Sequence, residues 1–162
     1  AENVTLILAG VNITSQSSAP IYVANAEKVI ITLAAGSENI VTDSDTYLAI
    51  DESGEPNAAI FSKDDLTING GGSLTVNAND NNGIASKDDL KITGGTIIVS
   101  AVSDVIKGRD SIAVLDGNIT VYAGADGLQS GRRPQGMARE GLGGGKGRHP
   151  FAEYPAQGPA RQ

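Results

Sequence analysis

Two identical pentapeptides, Ser62-Lys63-Asp64-Asp65-Leu66 and Ser86-Lys87-Asp88-Asp89-Leu90, stand 24 residues apart, each preceded by a short apolar segment and followed by an alternating one. Identity at a fixed offset is the signature of a repeat architecture. A degenerate third copy follows 22 residues on as Gly108-Arg109-Asp110-Ser111-Ile112, and a fourth begins at Asp126-Gly127-Leu128.

Aligning the copies puts apolar residues in columns. Ile60, Ile84, Ile106 and Leu128 form one, Leu66, Leu90 and Ile112 a second, and Ile68, Ile92 and Val114 a third. Later in each copy come Leu74, Ile97 and Ile119, then Val76, Val99 and Val121. Within a segment the columns are two residues apart, the period of a strand with one buried face. The segments are separated by Asn69-Gly70-Gly71-Gly72, Thr93-Gly94-Gly95 and Asp116-Gly117-Asn118, turn sequences that tolerate positive φ.

A repeat of this length made of short strands and Gly/Asn turns predicts an all-β, right-handed parallel β-helix, a solenoid with rungs of about 22–24 residues. Its rungs stack at about 4.8 Å, so each inward Ile, Leu or Val lies on its equivalent above and below. Upstream, Ile21, Val29, Ile31 and Ile40 read as one more rung with a two-residue insertion, and residues 4–13 as a partial rung. Residues 42–57, with Asp43, Asp45, Asp51, Glu52 and Glu55, read as an acidic surface loop. The helix is expected over residues 1–130; from 131 to 162 Gly, Pro and Arg dominate and strand periodicity ends, so that tail is expected to be disordered.

Charge and composition narrow the function. Residues 1–130 hold 6 Lys/Arg against 17 Asp/Glu, a net of −11, while the tail holds 6 against 2. Such an acidic body disfavours nucleic acid, whose phosphates need a basic face. There is no cysteine for disulfides or zinc, and no apolar run approaches the roughly 18 residues of a membrane span. The chain opens on Ala1, as a processed form or a segment does, so export is not read from its first residues. The cysteine-free, Asn/Thr/Ser/Gly-rich composition fits an extracellular or cell-surface bacterial protein, expected to be monomeric.

In a β-helix any repeated charge becomes a ladder. Asp64, Asp88 and Asp110 form one, and at about 5 Å two carboxylates repel by roughly 0.8 kcal/mol in water and about 3 kcal/mol at an effective dielectric of about 20. Either the adjacent column of Lys63, Lys87 and Arg109 compensates it through exposed ion pairs, or a hard cation such as Ca²⁺ does. Asn82, Asp104 and Asp126 form a second oxygen-bearing column. It completes a Ca²⁺ site if it faces the first, or closes turns by local hydrogen bonds if it does not.

The outward position after the first isoleucine column reads Tyr22, Phe61, Ala85, Lys107 and Gln129. Tyr22 and Phe61 could stack on a sugar ring while Lys107 pairs with a uronate; alternatively the aromatics shield a sheet face beneath the 42–57 loop. The lone histidine, His149, falls in the tail, so no rung carries an imidazole. A β-elimination would have to use Lys107 or Arg109 as base, with Ca²⁺ polarising a uronate.

These strings resemble a known family. Residues 57–68, residues 83–96 and Ile106-Lys107-Gly108-Arg109-Asp110-Ser111 are similar to the bacterial extracellular carbohydrate-binding domains that form parallel β-helices and are associated with cellulose and polygalacturonate. The resemblance spans residues 4–130 and extends to calcium-dependent pectate lyases, which implies Ca²⁺ at Asp-Gly-Ile turns. Asp126-Gly127-Leu128 keeps that pattern, Asn82-Gly83-Ile84 carries an amide, and Asp104-Val105-Ile106 lacks the glycine. Family members add rungs beyond this point, which implies a truncated or unusual member. The expectation is therefore a calcium-dependent, non-catalytic polysaccharide-binding module, with a pectate lyase-like enzyme or a structural surface repeat as alternatives.

Overall fold

The computed structural model describes residues 2–131 and, for Ala152–Pro155, the backbone. The described residues form parallel strands, with one antiparallel exception near the end, and no helix, hence none long and apolar enough to cross a membrane. Three faces wind about one core. Face one is built from β1 (Asn3–Leu8), β4 (Lys28–Leu33), β7 (Asp65–Gly70) and the first halves of β10 (Asp89–Ala101) and β12 (Ser111–Ala123). Face two takes β2 (Asn12–Thr14), β5 (Glu38–Thr42), β8 (Ser73–Ala78) and the second halves of β10 and β12. Face three stacks β3 (Ile21–Val23), β6 (Ala58–Ser62), β9 (Asn82–Ser86), β11 (Ile106–Gly108) and β13 (Leu128–Ser130). This is the parallel β-helix that the repeat predicts.

The columns read from sequence are the physical stacks. Val29, Leu66, Leu90 and Ile112 lie in register on face one, each no more than 1% exposed, as do Ile31, Ile68, Ile92 and Val114 beside them. Face two stacks Leu74, Ile97 and Ile119, and face three Ile21, Ile60, Ile84 and Ile106. Branched side chains stacked on their own kind form one continuous buried core, the close packing that makes a narrow solenoid stable.

Two details differ from the expectation. The segments 93–95 and 116–118 do not break the chain into separate strands: β10 and β12 run through them as bulged bends with register shifts. Gly70, Gly95 and Gly117 supply the positive φ there, and a Cβ on Gly70 would sit 2.1 Å from the Leu33 carbonyl oxygen. The two-residue insertion is present, since the pairing offset drops from Leu33↔Gly70 to Glu38↔Ser73. Its effect is that Ile40 pairs with Thr75 and points outward, 38% exposed, while Asn39 and Val41 face the core.

Asn39 thus occupies the column of Leu74. Its amide is fully used: Oδ1 accepts from the Gly10 and Val11 amides at 2.8 and 3.0 Å, and Nδ2 donates to Ser37 Oγ at 2.9 Å and the Ser73 carbonyl at 3.0 Å. A buried polar group satisfied on every side is tolerated in a core.

The acidic excursion leaves between face two and face three of the second rung. It is not wholly a surface loop, because Asp43, Ser44 and Glu55 are buried. Asp43 accepts from the Asn79 amide and the Tyr47 hydroxyl, and burial pushes its carboxyl above the usual carboxylate range. The tail expected to be disordered lies mostly outside the described residues; within it the strand β14 (Ala152–Pro155) pairs antiparallel with residues 118–121.

Candidate functional site

Side chains alternate across a strand, so the stack on face three aims Tyr22, Phe61, Ala85, Lys107 and Gln129 outward in strict register. Phe61 is not available to a sugar. It is 2% exposed, packed with Ala58 and Ala85 beside the returning excursion and tilted 50° to Tyr22 at a 5.8 Å centroid distance. Of the two expected stacking residues only Tyr22, 42% exposed, meets solvent.

What holds the excursion over this face is ionic. Glu55, nearly buried, reaches Lys87 at 2.7 Å and Lys63 at 3.6 Å, and Asp51 takes Lys63 at 3.0 Å. The lysine column therefore does not interleave with the Asp64–Asp88–Asp110 column, as one reading expected; acids of the excursion claim it. Sequence reasoning missed this role of Glu55, although five acids beside two lysines in one column were a legible signal.

Arg109, exposed at the end of the same column, has no carboxylate in ion-pair range among the described residues. Lys107, two residues earlier, has only Asp104 at 3.6 Å. The two cations share the walls of two adjoining depressions. One, about 150 Å³, runs between Glu55, Asn57, Phe61, Ala85 and Lys87. The other, about 310 Å³, is floored by Gly108, Gln129, Ser130 and Gly131. Gln129 Oε1 and Ser130 Oγ are buried there without hydrogen-bond partners. Unpaired buried polar atoms carry a desolvation cost that a ligand's hydroxyl groups would relieve.

The two oxygen-bearing columns do stack but lie apart. Asn82, Asp104 and Asp126 open face three, whereas Asp64, Asp88 and Asp110 follow its end. The length of β9 alone separates them by about 13 Å. In the first, Asn82 Oδ1 accepts the Asp104 amide and Asp104 Oδ1 the Asp126 amide, both at 3.2 Å. Asn82 Oδ1 and Asp104 Oδ1 thus bond to the backbone of the next rung.

In the second column Asp64 Oδ2 accepts the Ala26 amide at 2.7 Å. Asp88 is held above the usual carboxylate range, first by partial burial and then by the charges of Asp65, Asp110 and Asp64, with Arg109 opposing. Among the described residues no three acidic or imidazole groups converge as metal ligands. Ca²⁺ needs six to eight oxygens about one point, so neither column fits a closed Ca²⁺ cage as it stands.

Comparison with known proteins adds a lineage to this geometry. A family model described as carbohydrate-binding domain-containing protein matches residues 1–138. A carbohydrate-binding domain-containing protein of Acetivibrio thermocellus is 57% identical over 79 residues, which is 48% of this chain and 28% of that protein. Among solved structures, a gadolinium derivative of the polysaccharide lyase-like protein from C. thermocellum superposes with a TM-score of 0.78 at 50% identity, covering 82% of this chain and 55% of that one. The chain therefore spans about half the length of the solved relative and 28% of the curated one.

Proposed function

The chain belongs to the family of carbohydrate-binding domain-containing proteins, and on that premise we propose that it is a non-catalytic module that binds an anionic cell-wall polysaccharide, of the polygalacturonate class, outside the cell. The observation that carries this reading is the placement of Lys107 beside Arg109, which forms no ion pair among the described residues, at an open depression in a helix body of net charge −11. Among the described residues, this pair of cations is a concentrated attraction for a polyanion that the acidic body otherwise repels. An arginine fork takes a carboxylate through two parallel hydrogen bonds, and Lys107 adds a point charge one pleat away.

Gln129 and Ser130 supply the donors and acceptor for sugar hydroxyls, and Tyr22, three rungs and about 14 Å along the stack from Lys107, offers a ring face at the far end. Calcium has a secondary place in this reading. The mutually repelling carboxylates Asp64, Asp88 and Asp110 would hold it loosely as an exchangeable counter-ion, with no cage and no step of ligand binding passing through it.

The polysaccharide lyase-like name of the solved relative favours a second reading, β-elimination with Lys107 or Arg109 removing the proton. Polygalacturonate binding by titration calorimetry separates the two. Arg109→Ala is expected to weaken binding about tenfold or more, the worth of one charge-assisted hydrogen bond, and chelator to leave most of the affinity. Unchanged affinity in Arg109→Ala, or loss of all binding on chelation, would sink the direct-contact reading; an ultraviolet-absorbing unsaturated product would establish the lyase.

A further inference from the structure

Lys63, Lys87 and Arg109 follow Ser62, Ser86 and Gly108, which stand in register on face three. The Lys87 and Arg109 amides carry that ladder one residue further, donating to the Ser62 and Ser86 carbonyls at 3.0 Å. The three cations therefore form a column with the rung spacing of about 4.8 Å. Arg109 ends it at the open depression, while Lys63 and Lys87 are taken by Asp51 and Glu55 of the excursion. A column of cations filled by successive carboxylates of one chain segment is the contact that a bound polyuronate would make there.

The segment that makes these contacts is held lightly. Asp51 Oδ1 accepts the Ser53 and Glu55 amides at 2.8 and 3.1 Å, and the Asp51 amide donates to the Glu55 carbonyl at 2.7 Å, so the turn closes on itself. Leu48 and Ile50 face solvent instead of packing on face three. The Lys63–Asp51 pair is about a third exposed, where an ion pair is weak and screened by salt. Glu55 is nearly buried, yet its Oε2 has no hydrogen-bond partner among the described residues and faces Lys63 at 3.6 Å. An incompletely bonded buried carboxylate destabilises the closed arrangement. The two ends are fixed more firmly: Asp43 by the Asn79 amide and the Tyr47 hydroxyl, Leu48 by its amide on the Ser17 carbonyl, and Asn57 by the Asn82 amide on its carbonyl.

We infer that residues 49–55 are a displaceable strap masking the continuation of the Lys107–Arg109 groove, with Asp51 and Glu55 standing in for two carboxylates of a polyuronate. A ligand held at Arg109 that is long enough to pass Lys87 and Lys63, two rungs or about 10 Å further, replaces both acids. Lifting the strap also uncovers Phe61 beside Tyr22, two ring faces on successive rungs. A short ligand reaches only Lys107 and Arg109 and has no differential affinity for the open state, whereas a long one shifts the strap by the contacts it gains there. This inference rests on the reading of the groove as a polyuronate site and adds its regulation by ligand length.

The test titrates the whole chain with digalacturonate and with polygalacturonate. The double variant Asp51→Asn, Glu55→Gln keeps the acceptors that close the turn and removes both charges from the lysines. It is expected to bind polygalacturonate about tenfold tighter than wild type, because the competent state is no longer a minor one, and to bind digalacturonate as wild type does. Adding Lys87→Ala should cancel the gain. Glu38→Gln with Asp116→Asn removes the same charge from exposed positions away from the strap; an equal gain there overturns the inference, since the long-range field alone would explain it. A second measurement leaves the strap acids in place. The chain has no cysteine, so spin labels at Ser53→Cys and Lys91→Cys report the distance from strap to face one, which polygalacturonate should change and digalacturonate should not. An unchanged distance at saturation overturns the inference. Affinity equal in wild type and the double variant, and weakened in both by Arg109→Ala, overturns the strap and leaves the groove; polygalacturonate bound by neither protein removes both.

Discussion

Replacing Asn39 by leucine asks whether a core column prefers the residue its repeat implies or the one it has. The repeat places leucine or isoleucine at this position in the next rungs, as Leu74, Ile97 and Ile119. A buried leucine would contribute about 2 kcal/mol by leaving water. Against that, the substitution strips partners from the Gly10 and Val11 amides, the Ser73 carbonyl and the Ser37 hydroxyl. At about 1 kcal/mol each for groups that water partly reaches, the loss is about 4 kcal/mol. The net is a destabilisation of about 2 kcal/mol, or roughly 5 to 10 °C in Tm for a domain of this size. Circular dichroism melts give the number, and amide hydrogen exchange should show the loss concentrated in the first two rungs, since solenoid repeats interact only with their neighbours. An Asn39→Leu protein as stable as wild type would show that aliphatic stacking outweighs amide satisfaction in this core and refute the reasoning.

Asp88→Asn should raise Tm at neutral pH, because the folded state holds this carboxyl above its ordinary value of 3.8 and is strained by its ionised form. The gain should shrink as pH falls through that raised value and vanish below about 3.8, where both states are protonated; melts at several pH values check it, and a gain independent of pH would exclude the repulsion as its source. Gly83→Ala should cost about 1–3 kcal/mol in denaturant unfolding by overpacking, since the added Cβ would meet Val99 Cγ1 at 2.4 Å and the Val105 carbonyl oxygen at 2.5 Å. A neutral effect there would mean the corner above Val105 can relax.

Much of the site was half legible for a definable reason. The outward column Tyr22, Phe61, Ala85, Lys107 and Gln129 follows from register alone, and register follows from the repeat. Which members of that column reach solvent depends on the path of residues 43–57, which have no counterpart in the other rungs. Those residues bury Phe61 and recruit Lys63 and Lys87 to Asp51 and Glu55. Among the described residues Arg109 forms no ion pair with the excursion, whose acids reach no further along the column than Lys87.

The offset between Leu66, Leu90 and Ile112 and the period of two within each segment determined by themselves that the chain is a β-helix, which columns form its core and which residues stack. A repeated local pattern has one way to satisfy every copy at once, so those features need no knowledge of the rest of the chain. Tertiary structure alone decided the exceptions: a two-residue insertion that turns Ile40 out and Asn39 in, two oxygen columns held a strand length apart, and ion pairs made by an excursion that does not repeat. Each of these depends on where a unique segment lies in space relative to the lattice, and that information is not carried by any period.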